Sequence, residues 1–367
     1  MKLVSIVGAR PQFVKLAPLS RAFEQHPQIA HTIVHTGQHY DDKMSAVFFE
    51  ELELPKPDLN LEIGSASHAV QTGKMMERLE EQFSNDRPDV VLVYGDTNST
   101  LAACLAASKI HIPIAHVEAG LRSFNRKMPE EINRVATDHC SDRLYSPTPA
   151  GMHNLHAENL AERSIFTGDV MRDAVVHNIE LAHQKSNILD TLKLHDKDYA
   201  VLTLHRPSNT DPTTLPGLLS EIDKVAQSIM PVVFPVHPRT RAILAESGKD
   251  FSSAIRFIEP LAYLDMLLLL ENADLALTDS GGLQKEAAFL STTCITLREE
   301  TEWTETVDMG VNQLVGNNTD LIHAAVNAVT TSPSPFNNQT ASELDSFFGT
   351  GNASQVISED LLQSFKV

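Results

Sequence analysis

Short apolar runs alternate with longer amphipathic stretches along most of the chain. The first run, Leu3–Val7, is followed by a turn and then by Phe13–Phe23, where apolar residues recur at helical spacing. This repeated strand–helix order is typical of βα units that build a parallel sheet. The further predicted strands are His31–His35, Val90–Tyr94, Pro113–Val117, Ile165–Thr167, Tyr199–Leu204, Val232–Val236, Ile255–Ile258, Leu275–Thr278 and Cys294–Leu297.

The two series of strands predict an α/β protein with two Rossmann-like, doubly wound domains. We place the boundary at the start of a polar helical segment, Met171–Lys193, so that the domains cover residues 1–170 and 171–344. Thr330–Thr340 is predicted to be a linker because it contains two prolines. The last amphipathic segment, Ala353–Phe365, is expected to cross back, so that residues from about 345 to 367 complete the first domain. We expect a ligand in a cleft between the domains, at the carboxyl ends of the strands.

Composition narrows the class of protein. The chain has 367 residues, with 29 Lys and Arg against 48 Asp and Glu, a formal net charge of −19. This charge repels nucleic acids and anionic membranes, so we expect neither as a partner. No apolar run approaches the roughly 18 residues of a membrane span, and the first apolar run, about five residues before Arg10, is too short for the core of a signal peptide. The three cysteines, Cys104, Cys140 and Cys294, show no CxxC spacing, which argues against a disulfide framework and favours the cytoplasm.

Two turns at predicted strand ends have the composition of phosphate-binding sites. The first turn leads into the first predicted helix and contains a glycine, an arginine and a proline. Backbone N–H groups and two cationic side chains would there face a space that fits one anion. The other follows a strand of the second domain and lets backbone amides approach a phosphate, with a glutamate placed to bind a ribose diol. The alternative for each is an ordinary capped turn. The candidate residues are Arg10 and Lys15 in the first turn and Ser280, Gly281, Gly282 and Glu286 in the second.

Acidic residues follow successive strands of the first domain. Asp96 and Glu118 end two of them, and Glu130 and Glu131 lie on the next connection. A single carboxylate at such a place usually caps a helix or pairs with an arginine. Several on one sheet edge, beside phosphate-binding groups, favour acid and base catalysis at a sugar ring. His205, which ends a strand of the second domain, is a candidate for supplying a proton or a positive charge.

Other chemistries find less support in the sequence. His35 and His39 are four residues apart, but Gly37 interrupts any helix that would present both to a metal. The chain contains no GxSxG nucleophile motif, and the turn after the first strand lacks the glycine-rich fingerprint of NAD-binding folds. We therefore expect no metal and no cofactor.

Eight motifs follow one another in a characteristic order. They are Gly8-Ala9-Arg10-Pro11-Gln12, Thr36-Gly37-Gln38-His39, Gly95-Asp96-Thr97, His116-Val117-Glu118-Ala119-Gly120-Leu121-Arg122, Pro129-Glu130-Glu131-Ile132-Asn133-Arg134, Leu204-His205-Arg206, Thr278-Asp279-Ser280-Gly281-Gly282 and Leu297-Arg298-Glu299-Glu300-Thr301-Glu302. Through them the chain resembles the non-hydrolysing UDP-N-acetylglucosamine 2-epimerases over nearly its whole length. The resemblance implies the GT-B type of fold, a UDP-sugar in the cleft and a homodimer. Carried over by motif, it implies Asp96, Glu118, Glu130 and His205 as catalytic residues and Arg10, Lys15, Ser280, Gly281, Gly282, Glu286 and Arg298 as UDP-binding residues.

The same resemblance implies inversion at C2 of UDP-N-acetylglucosamine, by anti elimination of UDP and re-addition through a 2-acetamidoglucal, for cell-surface polysaccharide synthesis. Some positions depart from the best-known members: Trp303 stands in place of an arginine, and Pro207-Ser208 in place of arginine and glutamate. At these positions the chain resembles a sub-branch of the family that includes epimerases of UDP-2,3-diacetamido-2,3-dideoxyglucuronate. The identity of the substrate sugar therefore stays open. Three rival functions are a GT-B glycosyltransferase, a hydrolysing epimerase and a non-catalytic UDP-sugar sensor.

Overall fold

A computed structural model describes residues 1–38, 51–194 and 198–365 of the chain. The fold divides into two compact units. The first contains Met1–Ala174 and Asp345–Val367, and the second contains Val175–Leu344. His39, which belongs to one of the quoted motifs, lies outside the described residues.

The first unit is built on a seven-stranded parallel sheet with the order β3-β2-β1-β4-β5-β6-β7. Helices cover both faces of such a sheet, so its central strands are apolar on both sides, as in β4, where all five residues are buried. The strands are β1 (Lys2–Val7), β2 (Ala30–His35), β3 (Leu59–Asn60), β4 (Val90–Tyr94), β5 (Ile114–Val117), β6 (Arg143–Ser146) and β7 (Ser164–Phe166). The helices are α1 (Arg10–Glu24), α2 (His68–Asn85), α3 (Asn98–Lys109), α4 (Pro129–Cys140) and α5 (Pro149–Ala157), with a 3₁₀ turn at Ala161–Arg163.

The second unit repeats this plan with a six-stranded parallel sheet in the order β10-β9-β8-β11-β12-β13. Its strands are β8 (Ala200–Thr203), β9 (Val232–Pro235), β10 (Ile255–Ile258), β11 (Leu275–Thr278), β12 (Thr293–Thr296) and β13 (Asn312–Leu314). After α6 (Val170–Lys185), which begins in the first unit, the helices are α7 (Ile188–Leu192), α8 (Pro207–Thr210), α9 (Leu215–Ser228), α10 (Pro238–Ser247), α11 (Tyr263–Glu271), α12 (Gly281–Phe289), α13 (Thr304–Asp308), α14 (Thr319–Thr331) and α15 (Asn338–Phe348). One apolar cluster joins β8, β9 and β11 to α9 and α14.

The last helix, α16 (Ala353–Ser364), packs in the first unit against α1. Asp360 of this helix accepts hydrogen bonds from Arg143 Nε (2.8 Å) and Tyr145 Oη (2.9 Å) of β6. Asp173, near the start of α6, accepts a bond from the backbone N of Ser354 (2.8 Å). Helix α16 is therefore anchored by the buried carboxylate of Asp173 and the half-buried carboxylate of Asp360, as well as by apolar packing.

The prediction of an α/β fold with two doubly wound parallel sheets is confirmed. Three strands were missed, β3, β6 and β13; each has at most four residues and contains polar side chains, so none stands out as an apolar run. The segment Met171–Lys193 forms two helices, because the chain turns at Ser186 and Asn187. The predicted linker Thr330–Thr340 was wrong at both ends, where α14 ends at Thr331 and α15 begins at Asn338. The cleft between the domains stays a prediction.

Candidate functional site

In both sheets the strand order reverses at one pair of neighbours, β1 and β4 in the first and β8 and β11 in the second. The connections that leave the carboxyl ends of such a pair run to opposite faces of the sheet, and ligands of this fold class bind in the crevice that results. The turns after β1 and β4 contain Gly8 and Asp96, and those after β8 and β11 contain His205 and Ser280. Predicted site residues thus lie at the switch point of each sheet.

The turn after β1 is held by Gln12, which is buried. Its Oε1 accepts a hydrogen bond from the backbone N of Gly8 (2.8 Å), and its Nε2 donates to the carbonyl of Tyr94 (3.0 Å). Gly8 has no room for a side chain, since a Cβ there would lie 2.1 Å from Thr36 Oγ1 and 2.2 Å from Ser99 Oγ. The turn after β1 is therefore tied to the end of β4, and its geometry requires a glycine.

A buried ion pair joins α1 to the end of β5. Lys15 Nζ donates to Glu118 Oε2, and the two side chains are only 9% and 8% exposed. Glu118 has a φ of +71°, a left-handed conformation that costs an L-residue about 1 kcal/mol or more and that clusters at functional sites. Gly95 lies against this pair: a Cβ there would be 3.1 Å from both Lys15 Nζ and Glu118 Oε2. Helix α1 and the ends of β4 and β5 thus meet around one carboxylate and one ammonium group.

A second pair lies on the same turn. Arg134 Nη2 of α4 donates to Asp96 Oδ2 (2.5 Å), and the Asp96 side chain is one-third exposed. Removal of water from around the Asp96 carboxyl raises its pKa above the usual range; Arg134 and Lys15 oppose this rise, and the charge of Glu118 adds to it. A carboxyl with a raised pKa is closer to the range in which it can both take and return a proton near neutral pH.

Two neighbouring glutamates of α4 have different surroundings. Glu131 is buried and accepts hydrogen bonds from the backbone N of Ser123 (2.9 Å) and of Phe124 (2.9 Å), and it pairs with Arg134 at 3.2 Å. Phe124 has a φ of +57°, so Glu131 secures a loop in an uncommon conformation. Glu130 is half-buried and takes part in none of these bonds. Its carboxylate is consequently the one of the two that can serve a ligand.

A buried network supports the turns that carry the two pairs. His116 Nε2 lies 2.8 Å from the carbonyl of Gly95, which only accepts, so this nitrogen carries a proton. Its Nδ1 lies 2.7 Å from Asp138 Oδ1, and Asp138 Oδ2 accepts from Arg122 Nη1 (2.7 Å) and from the backbone N of Gly120 (3.1 Å). Burial alone would raise the pKa of Asp138, but the hydrogen bonds and charges of His116 and Arg122 outweigh burial and lower it. Asp138 is therefore an ionised anchor.

At the switch point of the second sheet, His205 and Asp279 form a pair. His205 Nδ1 lies 2.6 Å from Asp279 Oδ1, and Asp279 Oδ2 accepts from the backbone N of Arg206 (3.0 Å) and from Asn209 Nδ2 (3.1 Å). Asp279 is fully buried; burial alone would raise its pKa, but the bonds and the charge of His205 lower it. The His205 side chain is 57% exposed. Because Asp279 holds Nδ1, the imidazole presents Nε2 to a ligand.

Helix α12 begins at the end of β11 with an open first turn. Ser280 is its N-cap, and its Oγ accepts from the backbone N of Leu283 (3.4 Å). Gly281 and Gly282 follow, the first half-buried and the second exposed, and the first turn contains no acidic side chain. Unpaired N–H groups and the positive end of the helix dipole favour an anion here. Glu286, one turn later, is buried.

Charged and aromatic side chains surround this helix start. Arg298 makes a two-pronged pair with Glu302, at 3.2 Å and 3.1 Å, and both side chains are nearly buried. Lys285 Nζ lies 3.8 Å from the ring centroid of Trp303, a cation–π contact. A Cβ at Gly281 would lie 3.6 Å from Trp303 Nε1 and 3.9 Å from Arg298 Nη1. Arg298 and Trp303 therefore border the place where α12 can accept an anion.

No helix among the described residues combines the length and the apolar character that crossing a membrane requires. Within residues 1–38, 51–194 and 198–365, no group of three or more His, Cys, Asp and Glu side chains has an arrangement that could hold a metal ion.

Comparison with known proteins identifies the family. The family model described as UDP-N-acetylglucosamine 2-epimerase matches residues 21–362. The chain belongs to this family. The resemblance inferred from the eight motifs is thereby confirmed, and with it the prediction that the protein is an isomerase.

Similar members of the epimerase family cover nearly the whole chain. A UDP-N-acetylglucosamine 2-epimerase homolog of Methanococcus maripaludis is 49% identical over an alignment of 368 positions that covers 98% of this chain and 99% of the relative. The UDP-2,3-diacetamido-2,3-dideoxy-D-glucuronate 2-epimerase of Pseudomonas aeruginosa is 43% identical over an alignment of 366 positions that covers 98% of this chain and 99% of the relative. The crystal structure of Methanocaldococcus jannaschii UDP-GlcNAc 2-epimerase in complex with UDP-GlcNAc and UDP has a TM-score of 0.89 at 42% identity, covering 99% of this chain and all of that one.

In the structure of this chain, some of the site residues predicted from sequence contact one another directly. Lys15 pairs with Glu118, and the turn of Asp96 touches that pair through Gly95. Glu130 stays outside this network. Arg10 begins α1 and is exposed. The others lie around β8 and β11 of the second sheet: His205, Ser280, Gly281, Gly282, Glu286 and Arg298. Their roles remain predictions.

Several residues that shape the site were assigned no catalytic or binding role from the sequence, although Arg134 was named as a possible partner of a carboxylate. Four of them lie inside the quoted motifs: Gln12, His116, Arg134 and Asp279. The sequence signal that could have identified them is a polar residue among buried apolar neighbours. Asp138 lies in no quoted motif and gave no signal, because its partners come from two other elements. The residues are Gln12, His116, Arg134, Asp138 and Asp279.

Proposed function

We propose that this chain is a UDP-N-acetylglucosamine 2-epimerase that interconverts UDP-GlcNAc and UDP-ManNAc. The observation that carries the proposal is a pair of carboxylates, Asp96 and Glu118, at the ends of neighbouring strands, each in contact with its own cation. They stand beside the phosphate-type turn after β1, at a switch point where this fold class binds ligands. Family membership and the similarity to the Methanocaldococcus jannaschii enzyme, whose complex contains UDP-GlcNAc and UDP, support the same substrate.

The chemistry follows from the weak acidity of the C2 hydrogen. As the C1–O bond breaks, C1 gains cationic character and the C2 proton becomes acidic enough for a carboxylate to remove. The electron pair of the C2–H bond forms the C1=C2 bond of a 2-acetamidoglucal, and UDP leaves with the C1–O electrons. Re-addition of UDP at C1, with a proton delivered to the opposite face of C2, gives the epimer. Asp96, Glu118 and Glu130 are the acid and base candidates, each worth on the order of 10² to 10⁴ in rate.

The pyrophosphate needs stabilisation while it is detached. The candidate phosphate-binding groups of the first unit are Arg10 and Lys15, and those of the second unit are the first-turn amides of α12 after Ser280. Glu286 suits the ribose hydroxyls, and Arg298 stands beside the same helix start. His205, oriented by Asp279, would neutralise the departing oxygen through Nε2.

Glu130 and Glu131 offer a matched test of this assignment. Glu130→Gln is expected to lower kcat by about 10² or more with the unfolding midpoint unchanged, because Glu130 is half-buried and the bonds from Ser123 and Phe124 go to Glu131 instead. Glu131→Gln is expected to lower the unfolding midpoint, because it weakens the bonds that hold Ser123 and Phe124. If Glu130→Gln turned over at the wild-type rate, Glu130 would leave the catalytic set.

The decisive experiment follows the C2 hydrogen in D₂O. UDP-GlcNAc is incubated with the enzyme, and the products are analysed by NMR. We expect UDP-ManNAc that carries deuterium at C2 and retains its UDP. Release of free N-acetylmannosamine would indicate the hydrolysing reaction, and inversion that requires an added acceptor would indicate a glycosyltransferase. Product without deuterium at C2 would refute the elimination mechanism.

The second candidate is a 2-epimerase of UDP-2,3-diacetamido-2,3-dideoxyglucuronate. The observation that favours it is the 43% identical Pseudomonas aeruginosa relative with that name, together with Trp303 at the start of α12, where the best-known members of the family have arginine. Both nucleotide sugars should be supplied separately at equal concentration, and kcat/KM compared. A ratio above about 10 for either sugar identifies the substrate, because one missing polar contact is worth at least that much discrimination.

We propose further that the enzyme works as a cytoplasmic homodimer and supplies a precursor of cell-surface polysaccharide. The family resemblance supports both statements. Light scattering coupled to size-exclusion chromatography should give a mass of twice the 40.4 kDa chain. A monomer mass at the concentration of the activity assay would contradict the dimer.

A further inference from the structure

Two of the three cysteines meet between α3 and α4. Cys104 is buried in α3, and its Sγ lies 3.7 Å from the carbonyl oxygen of Thr137 in α4. Cys140 is the last residue of α4, one turn beyond Thr137, and packs against the same apolar cluster as Cys104. The Cys104 and Cys140 thiols interact, since each is a hydrogen-bond partner that shifts the pKa of the other. They are 36 positions apart in the sequence, so only the packing of the helices brings them together.

The two thiols differ in the way that a reactive pair requires. Cys140 is half-buried, so a small oxidant can reach it, whereas Cys104 is fully buried. The hydrogen bond from Cys104 lowers the pKa of Cys140; burial opposes this effect, and the positive charges of His139, Arg163 and Lys109 add to it. The pKa of Cys104 is raised by the same hydrogen bond and by burial. Thiolate character and access decide which thiol reacts first, and here both favour Cys140.

We propose that Cys104 and Cys140 form a reversible, hydroperoxide-sensitive dithiol. In the first step the Cys140 thiolate attacks a peroxide oxygen, the O–O bond breaks, and the leaving hydroxide takes a proton to become water. In the second step Cys104 loses its proton and attacks the Cys140 sulfur, so that an S–S bond forms as the S–O bond breaks and a second water leaves. Two thiols are oxidised to one disulfide, and one hydroperoxide is reduced.

The bond would act on the helices that flank Asp96. Helix α3 begins two residues after Asp96, and α4 carries Arg134, which binds the Asp96 carboxylate. A disulfide requires the two Cα atoms to lie roughly 4.4 to 6.8 Å apart, so the C-terminal end of α4 becomes fixed against α3. The opposite end of α4 holds Glu130 and Glu131. We expect the disulfide to restrain the adjustment of Arg134 and Glu130 around Asp96 when substrate binds, and to lower kcat several-fold. This second expectation rests on the proposed function, and the existence of the dithiol does not.

The first experiment counts thiols in the full-length protein. Reduced enzyme is treated with hydrogen peroxide, and free thiols are measured after unfolding. We expect a fall from three thiols to one, recovery with dithiothreitol, and a linked peptide that contains Cys104 and Cys140. Cys294→Ser is the matched control, because Cys294 is buried in β12, and this variant should fall from two thiols to none.

Single variants separate the two steps. Cys104→Ser should stop at a Cys140 sulfenic acid that dimedone traps, and Cys140→Ser should keep both remaining thiols. Wild-type protein that keeps three thiols, or that forms the disulfide between two chains, would overturn the proposal. The second experiment measures kcat before and after oxidation. We expect a several-fold loss that dithiothreitol reverses in the wild type and that is absent from Cys140→Ser. Disulfide formation with unchanged kcat would overturn the regulatory part alone.

Discussion

Gly95 offers a direct test of how tightly the candidate site is arranged. Its φ is +60°, and a Cβ added there would lie 3.1 Å from Lys15 Nζ and 3.1 Å from Glu118 Oε2. Gly248, which ends α10, provides a matched control: its φ is +63°, and a Cβ there meets no heavy atom within 4 Å. Alanine at either position has the same backbone strain, but only at Gly95 does it press on the ion pair.

The magnitudes follow from these distances. An alanine whose backbone adopts the left-handed conformation costs roughly 1 kcal/mol, so both variants should lose about that much free energy of unfolding. Ordinary contacts lie at about 3.5 to 4.0 Å, so the ammonium and the carboxylate beside Gly95 must each retreat by roughly half an ångström. Because a displacement of about 1 Å in a catalytic geometry costs about 10², we expect Gly95→Ala to lower kcat by about tenfold. Gly248→Ala should leave kcat unchanged.

The assay compares kcat and KM for epimerisation of the UDP-sugar with unfolding in urea followed by circular dichroism. Circular dichroism reports on both units, whereas the single tryptophan, Trp303, lies only in the second. If Gly95→Ala lost stability but kept the kcat of Gly248→Ala, the ion pair would not be part of the catalytic arrangement. The reasoning would then be refuted, whatever the change in stability.

Three further predictions concern buried charge. Lys15→Met should lower the free energy of unfolding by about 3 kcal/mol, because it leaves the Glu118 carboxylate buried without its ammonium partner, and the double variant with Glu118→Gln should recover part of this loss in a urea titration. Asp279→Asn should cost about 3 kcal/mol, because buried backbone and side-chain donors lose a charged acceptor; loss below 1 kcal/mol would contradict that role. The folded-state pKa of Asp96 is raised, so its contribution to stability is full below the unfolded-state pKa and is lost as pH rises through the folded-state pKa. The free energy of unfolding of the wild type should therefore fall relative to that of Asp96→Asn from about pH 3 upwards. A difference that instead grows in favour of the wild type would refute the raised pKa.

Much of the fold was accessible from sequence because it is encoded locally. Buried parallel strands are short apolar runs, and Val90–Tyr94, Ile255–Ile258 and Leu275–Thr278 match the observed strands residue for residue. Parallel pairing of neighbouring strands also places their carboxyl ends side by side. Asp96 and Glu118, which follow β4 and β5, were therefore expected at the same edge of the sheet. Short edge strands such as β3 and β13 carried too few residues to show a pattern.

The site could be predicted only in part, because a residue type does not specify its partner. Lys15 was expected to bind phosphate, and in the folded chain it pairs with Glu118, 103 positions away. Glu130 and Glu131 are indistinguishable by sequence position, but only Glu131 accepts bonds from the Ser123 loop. Hydrogen bonds of this kind depend on distances of a few tenths of an ångström, which no local pattern contains.

The sequence by itself determined the alternation of strands and helices, the glycine and acidic residues at the strand ends, and the membership of the epimerase family. Each of these features depends on short stretches of consecutive residues. Only the tertiary structure decided which charges meet. It set the carboxyl of Asp96 among Arg134, Lys15 and Glu118, made Asp138 an ionised anchor, and placed the Cys104 thiol where it interacts with Cys140. The physical reason is that electrostatic energies depend on the distance and burial of groups that are far apart along the chain.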